Sequence, residues 1–287
     1  MIRGRAIPPR TVLTVAALSL ALVVLIGAAS IYLPLGVDWH LTLRPSTLAL
    51  LTSTSPYQAA PATPFAGAPW GLWLLLPLAL LPEAVGRAVL LFISLGAFAF
   101  SAQRLGARPW VAAVFLLSPP VLHCLLNANV DWMPLLGFVL PAPIGLFFLA
   151  VKPQMGSVVA VFWLVEAWRR GGWREELKVF GPVTAALALS LVIYGLWPLN
   201  ALHIFDSSQT WNASLWPASI PVGLALAWAA LRKREIRFAM AASPCLSPYV
   251  LFHSWAGALA AILVLPGETL AAVVGLWVLV AIRWLAP

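Results

Sequence analysis

The chain has 287 residues, 62% of them hydrophobic and 9% charged, where ordinary globular chains run at roughly 45–50% apolar and about 25% charged. Seventeen Lys and Arg against nine Asp and Glu give a net charge of +8. So few charges cannot clothe a water-facing surface, which excludes a cytosolic enzyme, a secreted disulfide scaffold and a disordered linker. The basic residues fall between hydrophobic stretches and not on one patch, so the charge gives no reason to expect a nucleic-acid partner. Cys124 and Cys245 lie in apolar surroundings, fit no metal spacing and read as small core residues. The fold class expected is an all-α polytopic membrane protein, a single integral membrane domain over 1–287 surrounded by membrane lipids.

A spanning helix needs about 20 apolar residues. Residues 11–33 meet that requirement, preceded by Arg3, Arg5 and Arg10. The run is too long for a signal peptide and no small-residue cleavage site follows, so it reads as a retained first span with a cytoplasmic N-terminus. Residues 34–68, rich in Pro, Thr, Ser and Ala, make a long first extracytoplasmic loop, and loops of this length are usually functional. Within it, 45–51 predicts a short helix lying on the membrane, capped by Ser46 or Thr47. Residues 70–81 are a short apolar segment, separated by Pro82 from 83–101. Arg104 and Arg108 interrupt the next stretch. Residues 110–126 and 133–151 are apolar and flank a polar island of Asn127, Asn129 and Asp131.

Residues 155–168 run into a charged block at 166–178, and 179–197 spans again. A second loop over 200–217 carries His203 and Asp206. Residues 218–231 lead to the basic run 232–237, and 238–246, 249–265 and 269–285 complete the chain. The total is about eight or nine transmembrane or re-entrant helices. Lys and Arg mark the cytoplasmic side, which places 166–178 and 231–237 inside and both loops outside, in a cell membrane. Crossings between 69 and 165 do not give a clean parity, so one segment there is expected to enter and return. The 25 prolines exceed the average of about 5%, and Pro77, Pro119, Pro120, Pro134, Pro141, Pro143 and Pro153 lie within hydrophobic stretches. Helices broken at membrane depth are tolerated where they line an enclosed or watery cavity.

An ionisable group near a helix centre costs about 2.5–3.5 kcal/mol on insertion scales, so each one is a candidate for function. Asp38, in Gly36-Val-Asp-Trp-His40, follows the first span and suits a general base acting on a hydroxyl; the plainer reading is a solvated interfacial Asp with Trp39 as a belt anchor. Lys152, in an apolar stretch before Pro153 and Gln154, suits a buried phosphate, or snorkels to an interface. Asn127, Asn129 and Asp131 form a third site, with His123 on the same face as Asn127 if helical. They read equally as a polar turn, and Asp131 and Lys152 as one structural ion pair. Tyr249 and His253, at i and i+4, would bind a phosphate or sugar hydroxyl, or His253 is a satisfied core residue. His40, His203 and Asp206 carry weaker claims. No HExxH, CxxC pair, P-loop, GxSxG or GxGxxG is present. Asn212-Ala-Ser214 matches a glycosylation sequon, which matters only on a eukaryotic secretory route.

An Asp after the first span, then Ser55-Pro-Tyr57, then Phe65-Ala-Gly-Ala-Pro-Trp70, resembles the GT-C fold glycosyltransferases, polytopic enzymes that take a sugar from a polyprenyl-phosphate carrier. The bacterial alpha-1,2-mannosyltransferase-like group is the nearest likeness. Its Asn-x-Asp island and later Lys-x-Pro stretch have counterparts in Asn129–Asp131 and Leu149-Ala-Val-Lys-Pro153. Ser247-Pro-Tyr249 with His253 looks like its late Ser-Pro…His element. The resemblance implies a GT-C-like fold and an inverting transfer of a mannose-like hexose to an extracytoplasmic glycan, lipid or protein acceptor, with Asp38 as base. It implies donor phosphate and sugar binding by Lys152, Gln154, Arg44, His253 and Tyr249, and a cavity reaching His40, Tyr57, Asn129 and Asp131. The lipid-phosphate sugar is a co-substrate, no cofactor is expected, and a single Asp without a neighbouring acid gives no reason to invoke a metal. This chain is shorter than many relatives and has no second acid next to Asp38. The competing reading is a non-catalytic membrane protein, with Lys152 and Asp131 paired far from Asp38. A transporter would need matching broken helices in two halves, and no internal repeat is evident.

Overall fold

The computed structural model describes residues 9–52, 54–61, 63–199 and 209–285. Arg3, Arg5, His203 and Asp206 lie outside the described residues. The described elements are helical, apart from one isolated bridge between Asn212 and Leu251. Among the described residues, four helices are long and apolar enough to cross a membrane: α1 (Pro9–Tyr32), α4 (Glu83–Arg104), α9 (Pro153–Tyr194) and the last, α13 (Pro266–Leu285). The 24 residues of α1 rise about 36 Å, and its leucines, with Val15, Val23 and Val24, lie exposed along its length. An apolar helix with an exposed apolar surface belongs in lipid. The protein is therefore a helical membrane protein.

Proline sets where the other segments break. After α5 (Pro109–Leu116), Ser118 is extended at φ −70° and ψ 146°, because the ring of a following proline disfavours the helical region. Pro119 and Pro120 then open α6 (Pro119–Asn127), bent 57° from α5. The stretch 133–151, expected as one apolar segment, is instead α7 (Trp132–Val139) and α8 (Ala142–Leu149), parted at Pro141. Eight residues rise about 12 Å, too little for either to cross a bilayer alone. The two pack through glycines, since a Cβ on Gly145 would run into the Gly137 carbonyl oxygen and lie 2.7 Å from the Trp163 ring. In α9, Gly172 at φ +61° and ψ −150° separates two helices, a conformation essentially reserved for glycine.

Three local expectations change. The helix expected over 45–51 starts earlier, as a π turn Trp39–Leu43, α2 (Arg44–Leu48) and a 3-10 turn Ala49–Leu51. Ser46 and Thr47 are buried inside it and do not cap it; the Thr47 hydroxyl donates back to the Leu43 carbonyl at 2.6 Å. Trp39 is no belt anchor. It is fully buried between α3 (Trp70–Ala79) and α4, its indole donating to the Glu83 carbonyl at 3.2 Å, with Gly86 beneath the ring. The apolar run 249–265 is not one span, because Val250 and Leu251 are held extended against Asn212 and Ala213. A 3-10 turn Phe252–Trp255 and the short α12 (Ala256–Ala260) follow. Before them come α10 (Ile220–Lys233) and α11 (Ile236–Cys245).

Candidate functional site

The carboxyl end of α6 builds the site. Its last residues close a left-handed turn: Ala128, at φ 56° and ψ 46°, donates to the Leu125 carbonyl at 3.3 Å, and Asn129 to the Cys124 carbonyl at 3.0 Å. This is the paired bonding that ends many helices, with alanine where glycine is usual. A left-handed non-glycine residue costs about 1–2 kcal/mol, so the surroundings hold it. Gly36, itself at φ +81°, passes so close that a Cβ would lie 2.8 Å from the Asn127 carbonyl group. Arg87 of α4, 1% exposed, donates from Nη2 to the Leu125 and Leu126 carbonyls at 3.3 Å each. A cation at a helix carboxyl end is favoured by the helix dipole.

The turn aims Asn129 and Asp131 at partners far along the chain. The Asn129 amide oxygen accepts from the Val130 N–H at 2.6 Å, which directs its nitrogen to donate to Asp38 Oδ2, also at 2.6 Å. Asp131 immediately precedes α7 and is fully buried. Its Oδ2 takes His253 Nδ1 at 2.5 Å and the Ser254 hydroxyl at 3.1 Å, while its Oδ1 is ion-paired with the Lys152 ammonium. Lys152, non-helical at φ −137° and ψ 82°, stands just before α9, so the helix start fixes its stem. His253 Nε2 faces Asp38 Oδ2 at 3.9 Å. The exposed His123 stacks on His253, ring centroids 5.5 Å apart, with Phe252 edge-on to it and the Asn127 amide 3.2 Å from its ring nitrogens.

Asp38, Asn129, Asp131, Lys152 and His253 are thus one contiguous polar cluster drawn from four stretches of chain. Lys152 neither snorkels nor stands alone, because the buried Asp131 holds its ammonium. The expectation that an Asp131–Lys152 pair would lie far from Asp38 does not hold, since one ring, His253, reaches Asp131 at 2.5 Å and Asp38 at 3.9 Å. Among the described residues, no three His, Cys, Asp or Glu are grouped so as to hold a metal ion.

His40, Tyr57, Arg44 and Gln154 lie outside the cluster. His40 is exposed and pairs with Glu83 at 2.8 Å. Tyr57 stacks on Trp197 at 5.7 Å and donates to the Gly67 carbonyl at 3.1 Å. Burial, with Tyr194 beside it, holds the Tyr57 phenol above its ordinary pKa, so it serves as a donor and not as a base. Arg44 is half-buried, its Nε without a hydrogen-bond partner, and Gln154 is half-buried in the first turn of α9; neither bonds to the cluster among the described residues. Tyr249 lies on the extended segment, its carbonyl accepting from the Ser247 hydroxyl at 2.7 Å, and so does not share a helical face with His253. Asn212 pins that segment, donating to the Pro248 carbonyl and accepting from the Ser214 and Val250 N–H groups. A cavity of about 370 Å³ opens between Ala49, Thr52, Ser55 and Pro56 on one side and the Ile193–Tyr194 end of α9 on the other, outside the cluster.

Sequence reading missed Arg87 and Ser254. Glu83 and Arg87, at i and i+4, look like a surface helix pair, but Glu83 turns to His40 and Arg87 turns inward. No protein-family model, curated protein or solved structure matches this chain. Fold and site together define a helical membrane protein with ionisable groups buried between its helices.

Proposed function

We propose that this protein is an integral membrane glycosyltransferase of GT-C-like architecture, transferring a mannose-like hexose from a polyprenyl-phosphate carrier to an extracytoplasmic glycan, lipid or protein acceptor. Asp38 acts as the base and the sugar is inverted. The observation that supports this most is the meeting of Asp38, Asn129, Asp131, Lys152 and His253. Burying ionisable groups in a membrane protein is costly, and they gather where they are used.

Of the two carboxylates Asp38 is the accessible one, its side chain 29% exposed against 0% for Asp131. It is therefore the one an acceptor hydroxyl can reach. As the hydroxyl oxygen bonds to the sugar C1, Asp38 takes its proton and the carrier phosphate leaves with the bonding pair. Asn129, donating to Oδ2, orients the carboxylate toward the acceptor. Cations near the leaving phosphate lower the barrier. Lys152 is already matched by Asp131, which makes Arg44, with its unpartnered Nε, the freer of the two. Glu166, paired with Arg169 and Arg234, lies about 21 Å along α9 from Lys152. By the positive-inside rule that end is cytoplasmic and the Asp38 cluster faces outside.

The Lys152–Asp131 pair also favours a second reading, a non-catalytic polytopic protein in which the cluster only ties helices together. Transfer from a radiolabelled polyprenyl-phosphate hexose to a panel of glycolipid acceptors, measured on the full-length protein in lipid nanodiscs, separates them. The transferase reading expects labelled product from the wild type and its loss with Asp38→Asn. No product from the wild type, or equal product from both, overturns it.

A further inference from the structure

Two carboxylates and one ammonium meet in the cluster, and an imidazole stands between the carboxylates. We propose that Asp38 and His253 share one proton, with Asp131 fixing which ring nitrogen is open to receive it. Resting on the transferase reading, this makes His253 the group that draws the acceptor's proton onward from Asp38.

The geometry sets the direction. An ionised carboxylate only accepts hydrogen bonds, so His253 Nδ1, 2.5 Å from Asp131 Oδ2, carries the hydrogen there. The Ser254 hydroxyl and the Lys152 ammonium, both on Asp131, keep that carboxylate charged and in place. The lone pair of the neutral ring is then on Nε2, which faces Asp38 Oδ2 at 3.9 Å. A movement of about 1 Å brings the two to hydrogen-bond distance. A carboxylate that orients an imidazole and stabilises its cation is the arrangement by which a histidine receives a proton in acid–base catalysis.

The charge balance points the same way. The charged and titratable groups facing His253 are Asp38, Asp131, Lys152 and the stacked His123. With both imidazoles neutral, two carboxylates against one ammonium leave one negative charge unmatched. An unmatched charge between helices is costly, and pairing relieves it. A proton on Nε2 makes the set neutral without moving a helix, and the His253 ring faces both acids. In turnover the acceptor O–H bond breaks as Asp38 binds the proton. The Asp38 O–H bond then breaks, its electron pair staying on oxygen, as the Nε2 lone pair forms the new N–H bond. That shared proton is the resting state; water at the exposed edge of Asp38 takes it up as each new acceptor enters, which leaves Asp38 ionised and frees the Nε2 lone pair for the next proton.

The test is nitrogen NMR at neutral pH on full-length, histidine-labelled protein in nanodiscs, with His253→Gln and His123→Gln used to assign the two rings. The wild type is expected to show a far-downfield Nδ1–H signal and an Nε2 resonance between the bare and protonated positions. Asp38→Asn should move Nε2 to the bare position of a neutral ring while the Nδ1–H signal, which reports an intact bond to Asp131, stays. Asp38→Glu should move it back. An Nε2 resonance that is the same in wild type and Asp38→Asn overturns the shared proton. Transfer assayed on the same samples keeps the two readings apart: coupling without transfer removes the transferase and leaves the shared proton standing.

Discussion

Two clusters in this protein join a carboxylate to cations, at opposite ends of the first half of α9, and they are built on different terms. At one end Glu166 receives Arg169 at 3.0 Å and Arg234 at 2.6 Å, while those arginine side chains stay 41% and 59% exposed. One acid meets two bases there and solvent screens the remainder, so the pairing fastens α9 to the corner after α10. At the other end two acids meet one lysine, with the Asp131 side chain fully buried and that of Lys152 11% exposed. Water does not screen the Asp131–Lys152 pair, so each of these two needs its partner within the protein. A surplus of cations at the wet end fits a membrane surface. A surplus of carboxylate at the dry end fits a site that handles protons.

Substitutions can break this contrast. Lys152→Met should have the largest effect, a loss of about 3–5 kcal/mol in unfolding monitored in detergent, because it strands Asp131 among helices. Adding Asp131→Asn to Lys152→Met should recover most of that loss; no recovery would mean that the lysine stem, and not its charge, supplies the stability. Ala128→Gly removes left-handed strain and should raise stability by about 1 kcal/mol, less whatever flexibility glycine adds to the unfolded chain. A lowered melting temperature in that variant would show that the Ala128 methyl is needed for packing. Glu166→Gln should cost least, and the cost should shrink as salt is raised. A cost equal to that of Lys152→Met would erase the distinction between the two ends.

Much of this was legible in the sequence. A lysine and an aspartate in long apolar stretches have few places to go, so Lys152 and Asp131 could be read as candidates, and as partners, from burial cost alone. Asp38 and His253 were readable as ionisable groups near the membrane, but their nearness to the pair was not. It depends on the left-handed turn at Ala128 and on the extended strip at Val250 and Leu251, two backbone features without a hydropathy signal. The strip also explains why 249–265 reads as a span and is not one: its residues are apolar, and tertiary bonding to Asn212 overrides the helical preference. Tyr57, His40 and Trp39 were placed by residue type, and each is taken up by a local partner: the Gly67 carbonyl, Glu83 and the Glu83 carbonyl. Arg87 was hidden because a basic residue in the first turns of a helix looks like an interfacial charge.

The most direct measurement takes rate and stability from one sample of Asp38→Asn. The amide oxygen that this substitution introduces would still accept from Asn129, so the thermal midpoint in nanodiscs should stay near the wild-type value. Transfer from the polyprenyl-phosphate hexose should fall by about 10²–10⁴-fold, the usual worth of a general base. A variant that transfers at the wild-type rate, or that loses rate only in proportion to lost stability, would contradict a catalytic role for Asp38.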